Sequence, residues 1–331
     1  MTDYTAVSVV VPVYNDPEGV RDTLESLVAQ TYPDGSHEVL VVDNGSTDHT
    51  PSVVEEFATA ADTVELLVED RIQGSYAARN RGIRHAEGDI VAFLDADVTV
   101  SEGWLEDAVA AMERLDAEYL ACDVKLRASG DSLASRYNER SGFPIERYVT
   151  DFRFAPTCCL LVSRHVFDEL GCFDERLVSG GDLEFGNRVA EAGYRLEYVP
   201  DVSATHPTRS TVSALAKKAA RVGRGRYQLR AHYPGRYGRP VAMFCHPLTY
   251  LPPLPWLAPG AFEEFEALPA REKLGMYLLL TVTKFARTYG KVTQAVAMGA
   301  SPLLRPARSE GRPERGETTA RPVDQPNDSS R

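Results

Sequence analysis

Asp95-Ala96-Asp97 closes the apolar run Ile90-Val91-Ala92-Phe93-Leu94. Two carboxylates one residue apart at the tip of a buried strand lose solvation and repel each other unless a cation lies nearby. Hard divalent ions such as Mg²⁺ and Mn²⁺ take oxygen ligands and share them with substrate phosphates. The pattern points to a metal–diphosphate site at the carboxyl edge of a sheet. Exposed turns also carry such pairs, so the reading depends on the company the pair keeps. A further acid, Asp43, ends the apolar run Val39-Leu40-Val41-Val42 and opens Asp43-Asn44-Gly45-Ser46-Thr47-Asp48.

The elements that must position these acids alternate. Val7–Val13 is β-branched and too short for a helix, and Glu18–Gln30 carries Val20, Leu24, Leu27 and Val28 at helical spacing. Strand Val39–Val42, a helix through Val53–Phe57 capped at Thr47 or Asp48, strand Val64–Val68, a helix through Ala77–Ala86 and strand Ile90–Leu94 follow. Continuous apolar strands between amphipathic helices indicate a parallel sheet covered on both faces, with ligands at the strand carboxyl ends. Asp43, Asp95 and Asp97 should therefore line one crevice. Further on we expect helix Trp104–Leu115, strand Tyr119–Leu126, an irregular stretch Ser129–Asp151, strand Thr157–Val162, helix Arg164–Leu170, a helix from Gly180 to Ala192, and strand Leu196–Val199 followed by Ser203–His206.

Beyond Thr208 the alternation stops. From Val202 to Phe262 there is no acid but nine cations, although the 331-residue chain carries a net charge of −12. Such segregation implies an anionic partner for this stretch. Val212–Arg230 reads as a helix interrupted by Gly223 and Gly225, with Lys217, Arg221 and Arg224 on one face. Pro247–Pro259 is proline-rich with interspersed Leu and Trp256, and Leu274–Thr283 is uncharged but short of the ~20 residues a membrane span needs. Trp256, Tyr250, Tyr277 and Tyr289 suit an interfacial position, and packing of this stretch on the main domain is the alternative. The last thirty residues have the composition of a disordered tail. Five cysteines without C-x-x-C spacing (Cys122, Cys158, Cys159, Cys172 and Cys245) read as buried thiols. With no charged leader before Val7, they lead us to expect an intracellular protein. No recognition motif for nucleic acid accompanies the basic stretch, so lipid phosphate or a membrane surface is the better partner.

Four segments in order resemble the family 2 glycosyltransferases, which have the GT-A fold: Val9-Val10-Val11-Pro12-Val13-Tyr14-Asn15; Val41-Val42-Asp43-Asn44-Gly45-Ser46-Thr47-Asp48; Ala78-Arg79-Asn80-Arg81-Gly82-Ile83 leading to Phe93-Leu94-Asp95-Ala96-Asp97; and Phe173-Asp174-Glu175-Arg176-Leu177 leading to Gly180-Gly181-Asp182-Leu183-Glu184-Phe185. The resemblance implies an α/β chain with a mostly parallel, Rossmann-like sheet flanked by helices. It divides the chain into a catalytic domain over 1–207 (donor half about 1–100, acceptor half about 101–207), a basic and apolar helical extension over 208–300, and a tail over 301–331.

The resemblance also implies single-sugar transfer, with inversion, from a nucleotide-sugar donor to a hydroxyl acceptor on a glycan or lipid-linked precursor. Asp43 would hold the nucleobase between walls of Pro12 and Tyr14. Arg79 would help at the nucleotide, Asp95 would approach the ribose, and Asp97, with His206 as a further ligand, would hold Mn²⁺ or Mg²⁺. Asp182 matches the catalytic base; it reads otherwise as a helix N-cap, with Glu184 as the runner-up base. UDP is the favoured nucleotide because Asp43 suits an imide donor, a property guanine shares. The enzyme is expected in the cytoplasm, in peripheral contact with the inner face of the cell membrane. The chain departs from the family in carrying Gly181 where Glu often precedes the base, and in lacking the Gln-x-x-Arg-Trp motif of processive members. The alternatives are a nucleotidyltransferase making a nucleotide-sugar, disfavoured by Pro12–Pro17 where a Gly-rich loop would stand, and a non-catalytic nucleotide-sugar-binding relative.

Overall fold

The computed structural model describes residues 4–33, 35–253 and 268–299. Its strands are β1 (Val7–Val13), β2 (His37–Asp43), β3 (Val64–Val68), β4 (Ile90–Leu94), β5 (Thr99–Val100), β6 (Tyr119–Arg127), β7 (Cys159–Ser163) and β8 (Leu196–Pro207). They form one sheet in the order β3-β2-β1-β4-β7-β6-β8-β5. The first four strands in that order pair in parallel, as do β6 and β8. The sheet is thus mostly parallel, but β7 runs against both β4 and β6, and β5 against β8. Because β7 is reversed, its first residue Cys159 pairs with Leu94 at the end of β4. The carboxyl ends of β1, β2, β4 and β8 and the start of β7 therefore share one edge.

The helices are α1 (Pro17–Val28), α2 (Thr50–Ala60), α3 (Ser75–His85), α4 (Trp104–Leu115), α5 (Leu133–Ser141), α6 (Ile145–Phe152), α7 (Arg164–Leu170), α8 (Gly181–Ala192), α9 (Val212–His232), the short α10 (Pro234–Tyr237) and α11 (Ala242–Cys245), and α12 (Ala270–Ala297). The strand interiors β1, β2, β4 and β7 are fully buried, which is why they read as unbroken apolar runs.

Several expectations are corrected. Ser129–Asp151 is not irregular: it folds into α5 and α6. Ser132 caps α5 by accepting from the Ser135 amide at 3.0 Å, but the helix is too polar to show a clear apolar stripe. α2 begins at Thr50 after His49 rather than at Thr47 or Asp48, and Asp48 Oδ1 accepts from the Thr50 amide at 2.9 Å. α9 runs unbroken through Gly223 and Gly225, and the short uncharged run lies within the 28-residue α12. These glycines serve close packing. A Cβ on Gly223 would lie 2.0 Å from the Arg287 carbonyl oxygen, and one on Gly290 2.0 Å from that of Ala220, so α9 and α12 touch backbone to backbone. Tyr137 of α5, Leu215 of α9, and Met276 and Leu279 of α12 form a satellite apolar cluster. Cys245 is exposed, unlike the buried Cys122, Cys158 and Cys159. Trp256 and the 301–331 tail lie outside the described residues.

Candidate active site

The metal-ligand candidates are brought together by strand pairing. Asp95 and Asp97 lie in the turn between β4 and β5, and the Thr23 hydroxyl holds that turn by donating to the Val98 carbonyl at 2.9 Å. β5 then pairs with the distal half of β8, Thr99 opposite Thr205, which carries Asp97 to the neighbouring His206. One ligand atom from each of Asp95, Asp97 and His206 lies within 4.8 Å of the others, and His206 Nε2 is 3.7 Å from Asp97 Oδ1. His206 Nδ1 sits 2.8 Å from the Pro207 carbonyl, which can only accept, so Nδ1 is the donor and Nε2 is the ring nitrogen turned to Asp97. A set of carboxylate oxygens and one imidazole nitrogen fits a divalent ion such as Mn²⁺. Burial, foremost, and the Asp95 charge push the Asp97 carboxyl above its ordinary range, while His206 opposes the rise. A bound cation would reverse that rise.

Arg79, on α3, is nearly buried and donates from Nη2 to Asp95 Oδ1, and its guanidinium lies 5.8 Å from the Tyr76 ring centroid. Its Nε is buried with no partner. Asp43, at the end of β2, is 3% exposed. Its Oδ2 accepts the amides of Gly45 and Ser46 at 3.1 and 3.0 Å, while its Oδ1 is buried and unpartnered. A buried carboxyl oxygen left without a donor in this way is suited to a ligand N–H.

Asp182 stands in the first turn of α8. The Tyr76 hydroxyl lies 3.2 Å from its Oδ1, and the Leu183 amide donates to the same oxygen at 3.0 Å. Loss of solvent raises the Asp182 carboxyl above its ordinary range, against the hydrogen bonds and the nearby Arg79 charge. Glu184 is 2% exposed and engaged elsewhere: Arg188 Nε donates to its two oxygens at 2.9 and 3.0 Å, and Arg236 Nη1 is 3.6 Å away. Gly181 is accounted for by Tyr76, because a Cβ there would lie 2.8 Å from the phenol ring.

Pro12, Tyr76, Arg79, Asp95, Asp182 and His206 are among the residues that line one cleft of about 570 Å³. That is room for a nucleotide-sized ligand. Residues 8–171 match the family described as Glycosyl transferase family 2, and residues 90–283 match Glycosyl transferase family group 2. The chain is 39% identical over 224 residues to the glycosyltransferase AglE of Haloferax volcanii, covering 67% of this chain and 73% of that one.

The chain belongs to glycosyltransferase family 2.

This glycosyltransferase is also 29% identical over 238 residues to the pre-mycofactocin glycosyltransferase of Mycobacterium tuberculosis, covering 70% of this chain and 48% of the relative, about half that protein's length. Its fold matches the mannosyltransferase PcManGT of Pyrobaculum calidifontis, solved with GDP-Man and Mn²⁺, with a TM-score of 0.60, 21% identity, and coverage of 90% of this chain and 89% of the other. The shared architecture is GT-A.

In the glycosyltransferase, the residues singled out from the sequence do not all meet. Tyr14, 50% exposed, is not among the residues that line the cleft, nor are Asp43 and Asp97, the last of which is joined to it only through Asp95 and His206. Sequence reasoning missed Tyr76, which touches the Asp182 carboxylate. It marked the basic stretch for an anionic partner without singling out Arg209, Lys218 and Arg226, which with Arg221 form a cationic wall of the cleft. The expected face of Lys217, Arg221 and Arg224 is split, since Arg221 lines the cleft while Lys217 and Arg224 do not. Lys218 lies 4.8 Å from the Phe143 ring centroid, and burial, then Arg209, pushes its ammonium down to about 8. The available signal was the spacing of Lys218, Val222 and Arg226, four residues apart on α9.

Proposed function

We propose that the enzyme transfers one sugar, with inversion, from a nucleotide-sugar to a hydroxyl acceptor, and that the donor is a UDP-sugar. The observation that carries this reading is the placement of Asp95, His206 and Asp182 on one cleft, with Asp97 in ligand reach of His206. In this reading Asp43 Oδ1 accepts the imide N–H of the base, and Pro12 and Tyr14 flank it. Arg79 fixes Asp95 beside the ribose, and Asp97 and His206 are the protein ligands of Mn²⁺ or Mg²⁺. A divalent ion there would supply positive charge for the departing diphosphate. Asp182 accepts the acceptor hydroxyl proton as its oxygen attacks the anomeric carbon, and its raised pKa suits a general base. The Mn²⁺ and GDP-Man of the structural neighbour support a divalent ion and a nucleotide-sugar.

The acceptor in this reading is a lipid-linked or cell-surface glycan precursor met at the inner face of the membrane. The support is α12. Leu274, Leu278, Val282, Phe285, Tyr289, Val292 and Val296 recur every three or four residues and are exposed, from 39% at Val282 to 77% at Val296. Among the described residues no helix is long and apolar enough to cross a membrane. An exposed apolar stripe of this length suits a helix lying in the interface. Residues 1–207 would then be the catalytic domain and 208–300 the docking extension.

The test is transfer from a panel of nucleotide-sugars with Mn²⁺ or with EDTA, the product anomer being read by NMR. Retained configuration, or equal turnover in EDTA, would falsify the reading. Flotation with anionic vesicles tests docking, and wild-type protein left in the soluble fraction at low salt removes that part.

A further inference from the structure

The cationic wall of the cleft does not end at Arg226. Beyond it, α9, α12 and the segment around His246 border two adjoining open hollows of about 370 and 250 Å³, both lined by Arg226, His246 and Lys291. Arg230 lines the first, and Lys284 and Arg287 line the second. α9 carries no acid, and Glu272 is the one acid of α12. None of these five cations forms an ion pair with a carboxylate among the described residues. Arg287 Nε is buried with no hydrogen-bond partner. Burial, then the charges of Arg226, Arg287, Arg230 and Lys284, holds the Lys291 ammonium below its ordinary range.

Like charges gathered in a concavity repel and lose water, a cost that a bound anion offsets. Five cations exceed what one carboxylate neutralises, whereas phosphate offers up to two charges and three acceptor oxygens suited to guanidinium groups. The first cavity shares Arg226, Leu183 and Leu229 with the catalytic cleft, so it opens beside Asp182.

We propose that this groove between α9 and α12 binds a phosphate ester of the acceptor and so holds the acceptor's hydroxyl toward Asp182. The inference rests on Asp182 being the base. It names the acceptor class as a phosphate-bearing molecule, either the headgroup of a lipid phosphate or a soluble phosphorylated sugar.

The experiment uses the full chain and inorganic pyrophosphate with EDTA present, which leaves the Asp95–Asp97–His206 end without metal. Isothermal titration of wild type and of Arg230→Gln/Lys291→Gln should show binding weakened by about tenfold or more in the variant. No measurable binding by wild type, or equal binding by the variant, overturns the groove. Mn²⁺-dependent nucleotide binding, measured in parallel on wild type, tests the active-site reading separately. Competition then separates the sources. Phosphatidylcholine vesicles carrying polyprenyl phosphate displace pyrophosphate if the acceptor is a lipid, glucose 6-phosphate displaces it if the acceptor is soluble, and either result supports the groove. Salt-sensitive binding to phosphatidylglycerol vesicles without pyrophosphate binding would make the cations a membrane patch and overturn the proposal.

Discussion

The phenol oxygen of Tyr76 lies 3.2 Å from Asp182 Oδ1 and 3.3 Å from the Asp182 amide nitrogen, so one hydroxyl engages both the carboxylate and the backbone of a single residue. The hydroxyl donates to the carboxylate while its oxygen accepts from the amide. This fixes the rotamer of Asp182 and favours its charged form against the burial that raises its pKa.

Tyr76→Phe therefore should move the acidic limb of the kcat/KM profile to higher pH, because the carboxylate loses a donor that lowers its pKa. A pH–rate series on both proteins measures the shift. An unmoved limb with a lower plateau would mean that Tyr76 acts only by packing.

Asp182→Asn should lower kcat by about 10²–10⁴-fold with nucleotide affinity retained. It should also stabilise the fold at neutral pH. The folded pKa of Asp182 is raised, so the native state holds the proton more tightly, and stability falls as pH climbs from the unfolded value to the folded one. Asparagine removes that loss. Thermal melts should show a higher Tm for the variant at pH 7, and the gain should vanish at pH values below the unfolded carboxyl range.

Glu184→Gln separates the two acids of α8. Glu184 is buried and bound to Arg188, so the change should cost about 1–3 kcal/mol in urea unfolding. The acidic limb of the rate profile should stay in place. A collapse in kcat without loss of stability would make Glu184 the base.

Asp97→Ala should abolish the Mn²⁺-dependent part of nucleotide binding, and His206→Ala should weaken it. Titration with the nucleotide in Mn²⁺ and in EDTA measures both. If the two curves of Asp97→Ala still differ as in wild type, the ligand set lies elsewhere.

The parallel half of the fold could be read because its strands are buried on both faces and end in acids. Asp43, Asp95 and Asp97 announce themselves by standing where apolar runs stop, whereas Asp182 was legible only through the resemblance carried by Gly180–Phe185. His206 was legible only as a lone histidine after a strand, since what brings it to Asp97 is the pairing of Thr99 with Thr205 across more than a hundred residues. The reversal of β7 left no local mark, because an apolar strand reads alike in either direction. α5 escaped notice because its buried side includes Ser135 and Asn138, and Tyr76 because an aromatic on a core-packed helix is ordinarily just core.

Gly223→Ala should destabilise the protein by about 1–3 kcal/mol, since the new methyl meets the Arg287 carbonyl, and chemical unfolding of the variant checks it.

That same contact decides which parts of the molecule can move. With Gly223 against Arg287 and Gly290 against Ala220, two helices are interlocked at two points just under one turn apart, which resists their sliding past each other. The wall carrying Lys218 and Arg226 cannot swing aside to admit a bulky substrate without dragging the outward stripe of α12 with it. The two behave as one lever, with its load at the cleft and its handle on the surface.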